Sequence, residues 1–188
     1  MLIGVLAFQG DVIEHIKSIQ ALGHEAIEVK SPSNLDKLDG IIFPGGESTT
    51  IGKLLRITGL IEPLKSKIKS GLPVWGTCAG MILLAKEIEN EETPHLGLMN
   101  IKVKRNAFGR QINSFETFEK VKGIKEPIRL VFIRAPYISE YDENVDILCK
   151  VNNVIVAAKE KNMLVSSFHP ELTDDLSFLD YFINNFCS

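Results

Sequence analysis

Along the chain, short continuous apolar runs alternate with stretches whose apolar residues recur every three or four positions. Residues 2–8 are almost wholly apolar and end at Gly10, the pattern of a strand buried on both faces of a parallel sheet. Beyond it, Asp11 with Glu14 three residues later resembles a capping box, Val12, Ile13, Ile16 and Ile19 share a helical face, and Gly23 supplies the stop. Residues 24–29 read as a second strand and residues 40–43 as a third, which runs into the loop Pro44-Gly45-Gly46-Glu47-Ser48. Ile51, Leu54, Leu55 and Ile57 predict a helix closed by Gly59. Pro63 in a first turn, with Leu64, Ile68 and Gly71, outlines another. Residues 72–75 form a strand leading to Cys78, and helix resumes from Ala79 to about Lys86.

From about Gly97 the texture becomes β-rich, with strands predicted over 98–103, 115–121, 130–133, 147–150, 154–158 and 163–168. A last helix starts near Thr173 or Asp174 and turns Leu176, Leu179, Phe182, Ile183 and Phe186 inward. The whole pattern predicts an α/β fold: a doubly wound, mostly parallel sheet flanked by helices, with antiparallel β extensions in the second half. Active sites in such folds lie beyond the carboxyl ends of the strands, where the Gly45-Gly46 loop and Cys78 both fall.

Composition narrows the function without naming it. At 188 residues, 45% hydrophobic and 24% charged, one globular domain over 1–188 is expected, and disordered or collagen-like classes are excluded. A net charge of -3 leaves no electrostatic footprint for nucleic acid or an anionic membrane, so a small, nearly neutral ligand or a protein partner fits better. The three cysteines, Cys78, Cys149 and Cys187, are an odd number with no CxxC pair, which argues against a disulfide framework or a metal site and for a reducing, cytoplasmic setting. The apolar start lacks a basic leader region, and no apolar run is long enough to span a bilayer.

Gly76-Thr77-Cys78-Ala79-Gly80, between an apolar strand and an apolar helix, has the G-x-nucleophile-x-G form of a nucleophile elbow. Its small neighbours permit a strained turn, and the following helix aims its N-terminus at the sulfur, favouring a thiolate. Cys149 and Cys187 sit in apolar contexts and read as small buried hydrophobes. A cysteine nucleophile needs a base. His15, His24 and His95 read as ordinary surface residues, whereas His169 follows a strand and precedes Pro170-Glu171. Proline biases His169 to an extended conformation, so Glu171, two residues on, points to the same side and can orient the imidazole. In an acyl-transfer site the N–H of Ala79 and one from the glycine loop, taken as Gly46, would form the oxyanion hole.

Taken together, FPGGESTT at residues 43–50, GTCAG at 76–80 and FHPELT at 168–173 resemble the triad-type (class I) glutamine amidotransferases. Phe8-Gln9-Gly10-Asp11 with Glu14-His15, Arg105-Asn106-Ala107-Phe108-Gly109-Arg110-Gln111, Ser114-Phe115-Glu116 and Phe132-Ile133-Arg134-Ala135-Pro136 are similar to the glutaminase subunits of pyridoxal 5'-phosphate synthase. That resemblance implies a Cys78–His169–Glu171 triad and a glutamine site comprising Gly46, Glu47, Ser48, Arg105, Ile133 and Arg134. Arg105 or Arg134 suits the α-carboxylate of glutamine, and the sequence does not choose between them. It also implies no cofactor, no metal, and ammonia transfer to a separate synthase (lyase) subunit in a hetero-oligomer. The shortness of the chain fits acceptor chemistry on another polypeptide, and helix 11–22 with its Gln9-Gly10 lead-in is the expected contact surface. The alternatives are a glutaminase for a different synthase, a cysteine hydrolase or stress protein on a related fold, and a non-enzymatic module with an inert Cys78.

Overall fold

The computed structural model describes residues 1–91, 93–105 and 114–187. The stretch 106–111 that carries part of the resemblance lies outside the described residues.

The first apolar run forms β1 (Leu2–Leu6), which pairs in parallel with β2 (Glu25–Val29) on one side and β3 (Gly40–Phe43) on the other. Next to β3 lies β4 (Val74–Thr77), and beside that β12 (Met163–Ser166), both still parallel. The order β2-β1-β3-β4-β12 brings the carboxyl ends of all these strands to one edge. The sheet then turns antiparallel through β11 (Val154–Glu160), β9 (Tyr137–Tyr141) and β6 (Met99–Lys104), ends on β5 (Ala85–Ile88) parallel to β6, and carries β10 (Asp146–Val151) on β11. A separate antiparallel pair joins β7 (Ser114–Glu119) to β8 (Ile128–Ile133).

Alternation within the central strands places apolar side chains on both faces. Ile3, Val5, Ile42 and Trp75 pack on one face beneath α1 (Val12–Ala21) and α5 (Ser177–Phe186), with Ile19, Phe178 and Phe182. Leu6, Ile41, Phe43 and Val74 pack on the other beneath α2 (Ser48–Ile57), α3 (Ile61–Lys69) and α4 (Ala79–Leu84), with Ile51, Leu64 and Met81. Each such side chain contributes about 1.5–3 kcal/mol on burial. The sheet is therefore covered twice, which is why these strands read as continuous apolar runs.

Several boundaries differ from the sequence pattern. The helix expected to reach about Lys86 stops at Leu84, because Ala85 (φ -58, ψ 139) is already extended and starts β5. The helix expected from Ile51 begins at Ser48, capped by Glu47, and the last helix begins at Ser177. β5 and β9 are additional strands that pair with β6, and tertiary pairing supplies what their mixed polar sequences do not announce. Among the described residues no helix is long and apolar enough to cross a membrane.

Candidate active site

The carboxyl edge of the parallel strands gathers the chemistry. At the end of β4 the chain turns through Cys78 with φ 48 and ψ -104, a conformation that side-chain-bearing residues rarely adopt and that costs about 1–3 kcal/mol. Two glycines make the turn possible by close approach. A Cβ on Gly76 would lie 2.5 Å from the carbonyl of Gly80, and one on Gly80 would lie 2.2 Å from the carbonyl oxygen of Phe43. The Cys78 N–H donates to the Ser166 carbonyl (2.7 Å) and so pins the elbow to β12. Its Sγ lies 3.9 Å from the Ile133 carbonyl oxygen, at the end of β8.

Beyond β12, His169 is held by a backbone hydrogen bond from its N–H to the Val131 carbonyl (2.8 Å). Its Nδ1 lies 2.7 Å from Glu171 Oε1, and both side chains are buried. Glu171 reaches the ring from a 3-10 turn (Pro170–Leu172) and not from the extended segment the sequence suggested. Asp11 and Cys78 also lie beside the imidazole, with Asp11 Oδ2 3.4 Å from Nδ1. Burial pulls its pKa down, but the hydrogen bonds to Asp11, Cys78 and Glu171, with the charge of Glu171, outweigh that and push it up to about 12. These neighbours favour the protonated form of the ring.

The first turn of α1 closes the other side. Asp11 makes no side-chain cap on the helix it precedes, and its Oδ2 lies 3.4 Å from His169 Nδ1. The hydrogen bond to His169 holds the Asp11 carboxyl below the usual range, against the effect of its burial. His15 is buried, contrary to the surface position expected, because it shares the apolar face of Val12 and Ile19 and stands edge-on to Trp75 at 5.5 Å. Its Nε2 is 3.5 Å from Thr77 Oγ1 and 3.6 Å from Glu171 Oε1, and burial pushes its pKa down, leaving the ring neutral.

The glycine loop after β3 and the turn after β8 complete this end of the sheet. Gly45 packs against the His169 imidazole, where a Cβ would meet His169 Cε1 at 2.5 Å. Gly46 follows with φ 139, and the Glu47 N–H donates to Gln9 Oε1 (3.0 Å). The Glu47 carboxylate accepts from the N–H groups of Thr49 (3.1 Å) and Thr50 (2.7 Å); burial pulls its pKa up, but these bonds hold it below the usual range. Buried Ser48 accepts from Arg105 Nη1 (2.6 Å), while Arg105 Nε binds Glu91 (2.8 Å). The other guanidinium nitrogen, Nη2, is buried without a partner among the described residues. Arg134 has φ 46 and follows Ile133, so a second strained turn borders the sulfur. Ala79 opens α4, and its N–H is among those that a helix leaves without an intrahelical acceptor.

The profile of the SNO glutamine amidotransferase family matches residues 5–188. The chain belongs to that family. It is 63% identical over 186 residues to the pyridoxal 5'-phosphate synthase subunit PdxT of Clostridium beijerinckii, covering 98% of each chain. It is 57% identical to the same-named subunit of Carboxydothermus hydrogenoformans, covering 100% of this chain and 98% of the relative. A crystal structure described as a glutamine amidotransferase superposes with a TM-score of 0.93 at 45% identity, covering 97% of both chains. PurLQS from Thermotoga maritima, at 16% identity and a TM-score of 0.72, shares the fold.

In this amidotransferase, then, Cys78, His169 and Glu171 converge, the backbone of Ile133 meets the sulfur, and Ser48 and Arg105 touch each other. Asp11, His15 and Gln9 were not singled out as site residues from sequence. Their signal was position, since they follow the carboxyl end of β1 and His15 interrupts an apolar helical face. Asp11, His169 and Glu171 offer ligand atoms within 4.8 Å of one another, but an Nδ1 that carries a proton has no lone pair for a metal. His95 also departs from its expected surface position. It is buried against Gly52, where a Cβ would lie 2.1 Å from its Nδ1. Cys149 is a buried free thiol as expected, whereas Cys187 is only half-buried, and burial pushes the two thiols up to about 11 and about 12.

Proposed function

We propose that the chain, as one glutaminase domain, hydrolyses L-glutamine to L-glutamate and ammonia through a Cys78–His169–Glu171 triad. On this reading it is the glutaminase subunit of pyridoxal 5'-phosphate synthase and passes ammonia to a separate synthase (lyase) subunit in a hetero-oligomer. The observation that carries the reading is the His169 ring, hydrogen-bonded at 2.7 Å to the buried Glu171 carboxylate and placed beside the strained Cys78 elbow.

The proposed sequence of steps follows from that arrangement. The Cys78 thiolate attacks the side-chain amide carbon, and the N–H groups of Gly46 and Ala79 hold the oxyanion. His169 gives its sulfur-facing proton to the departing nitrogen, so ammonia leaves and a γ-glutamyl thioester remains. The now neutral ring takes a proton from water, hydroxide adds to the thioester, and collapse releases glutamate and restores the ion pair. Glu171 keeps the imidazole in place and stabilises its charged form throughout. The Nη2 of Arg105, which has no partner among the described residues and lies in a side chain bonded to Ser48, favours Arg105 over Arg134 as the α-carboxylate ligand. Glu47, whose carboxylate is committed to capping α2, contributes through the loop it fixes.

Cys78→Ala is expected to abolish glutamine hydrolysis, by about 10⁴-fold or more, measured as glutamate release with the synthase subunit present. Retained turnover would overturn the triad. Mass spectrometry after treatment with an electrophilic glutamine analogue is expected to find the adduct on Cys78, and more of it when the synthase subunit is added. The exposed face of α1 is the proposed contact, so Lys17→Glu should weaken assembly and stimulation together; unchanged assembly would place the interface elsewhere.

A further inference from the structure

We propose that the first turn of α1 belongs to the glutaminase machinery: Asp11 and His15 are positioning residues that fix the His169–Glu171 pair. The inference rests on the triad reading above and adds two groups to it.

Three observations converge on one helical turn. Asp11 stands at the N-cap of α1 yet makes no side-chain cap, a role that commonly stabilises a helix by about 1 kcal/mol when used. Its carboxylate is directed instead to the Nδ1 of His169, 3.4 Å away, where Glu171 already sits at 2.7 Å. Four residues later, on the same side of the helix, His15 brings Nε2 within 3.6 Å of the very Glu171 oxygen that His169 uses. The second oxygen of Glu171 is buried with no partner among the described residues, so this carboxylate is under-solvated and depends on the few polar groups that reach it.

Chemistry assigns the two roles. A carboxylate beside an imidazolium favours the charged ring, so Asp11 reinforces the proton that His169 must hold before it protonates the leaving nitrogen. The neutral His15 ring has one N–H to give, and a proton on Nε2 points it at Glu171 Oε1 and Thr77 Oγ1. The distances of 3.5 and 3.6 Å are long for hydrogen bonds, and catalytic contacts of this kind tighten when substrate is bound. His15 is faced by Glu171 and His169 from the strand end and by Asp11 and Glu14 from its own helix. His169 is faced by Asp11, Glu171 and Cys78. Neither Asp11 nor His15 touches the sulfur in this arrangement, so both act through the dyad.

The test assays Asp11→Asn, His15→Leu and His15→Gln in the complex with the synthase subunit, with Cys78→Ala alongside. Asp11→Asn and His15→Leu are expected to lower kcat by roughly tenfold or more, the scale of one hydrogen bond to a charged group, with KM for glutamine within about twofold of wild type. The alkaline limb of the kcat/KM profile should move to lower pH in Asp11→Asn, because the charge that holds the imidazolium proton is gone. The pH at which iodoacetamide alkylates Cys78 in the isolated chain reads the same ion pair without turnover and should shift with Asp11→Asn. His15→Gln, which keeps an N–H donor, should recover most of the kcat lost in His15→Leu. Wild-type kcat and an unmoved alkaline limb in Asp11→Asn, or His15→Gln as slow as His15→Leu, overturn the inference. Should His15→Leu fail to fold, His15→Gln near wild-type kcat together with the shifted limb of Asp11→Asn supports it, and an unshifted limb still overturns it. If Cys78→Ala is inactive while the α1 variants match wild type, only this inference falls; an active Cys78→Ala brings down the triad itself.

Discussion

The two halves of the sheet contribute differently to the site. The parallel half supplies the proposed triad and its proposed positioning pair: Cys78 after β4, His169 and Glu171 after β12, and Asp11 with His15 after β1, with Cys78, His169, Glu171 and His15 buried and Asp11 partly so. The other half and the β7–β8 hairpin supply the frame: Arg105 after β6, and Ile133 and Arg134 at the exposed end of β8. In the first region, backbone geometry fixes the nucleophile, through a strained elbow and glycines that approach carbonyls. In the second, side-chain hydrogen bonds hold Arg105, and among the described residues its Nη2 has no partner. On the proposed reading, this division separates bond-making, which needs rigid preorganisation, from recognition, which needs donors free to meet the substrate.

The sharpest way to break that contrast is at Gly80. A methyl there has to displace the Phe43 carbonyl on the neighbouring strand, and no rotamer change relieves a clash with backbone. Gly80→Ala should cost about 3 kcal/mol. For a chain of this size that is a fall in Tm of roughly 6–12 °C, measurable by calorimetry, and activity should be lost with it. A variant with wild-type Tm and turnover would mean that the elbow tolerates movement and that its geometry is not what holds the sulfur.

A smaller effect of a different kind is expected at Arg105. Removing its donors in Arg105→Ala should raise KM for glutamine by roughly 10–100-fold while kcat changes little, since the lost bonds are made in ground and transition state alike. An equal fall in kcat with unchanged KM would assign Arg105 to the reacting centre and erase the division.

How much of this was legible differs between the same two regions. The parallel half announces itself because doubly covered strands are continuous apolar runs and because glycines at an elbow have a steric reason to be there. Cys78 could be picked from three cysteines on that basis, and His169 from four histidines by its place after a strand. The antiparallel half is harder to read: β5 and β9 are held by pairing with β6, which only the folded chain supplies. Asp11 was misread for a physical reason. An acidic residue before a helix satisfies the capping pattern locally, and only the long-range approach of His169 offers it a stronger partner. His15 was misread because a polar residue on an apolar helical face is usually taken for an edge position. Here it is buried over Trp75. His95 differs again, because its burial depends on a missing side chain at Gly52, in a helix far from it in sequence.

The smallest predicted effect distinguishes the two buried histidines by sign. His169 has its pKa raised in the folded chain, so the stability it contributes is complete below the unfolded value of about 6.5 and is lost as pH rises toward about 12. His15 has its pKa lowered by burial, so its contribution is present above about 6.5 and is lost as pH falls through the depressed folded value. Below about pH 6.5, down to about pH 5, the His169 contribution is already complete, while the unfolded chain gains a proton at His15 that the folded chain resists, so the wild type should lose stability from His15 on the acid side of that value. Asp11 titrates well below this window, because its carboxyl is held under its ordinary 3.8. Urea midpoints of wild type and His15→Gln across the same range therefore isolate one ring. The variant should show a shallower acid-side decline, whereas identical slopes would mean that His15 is protonated in the folded chain and acts on Glu171 as a cation.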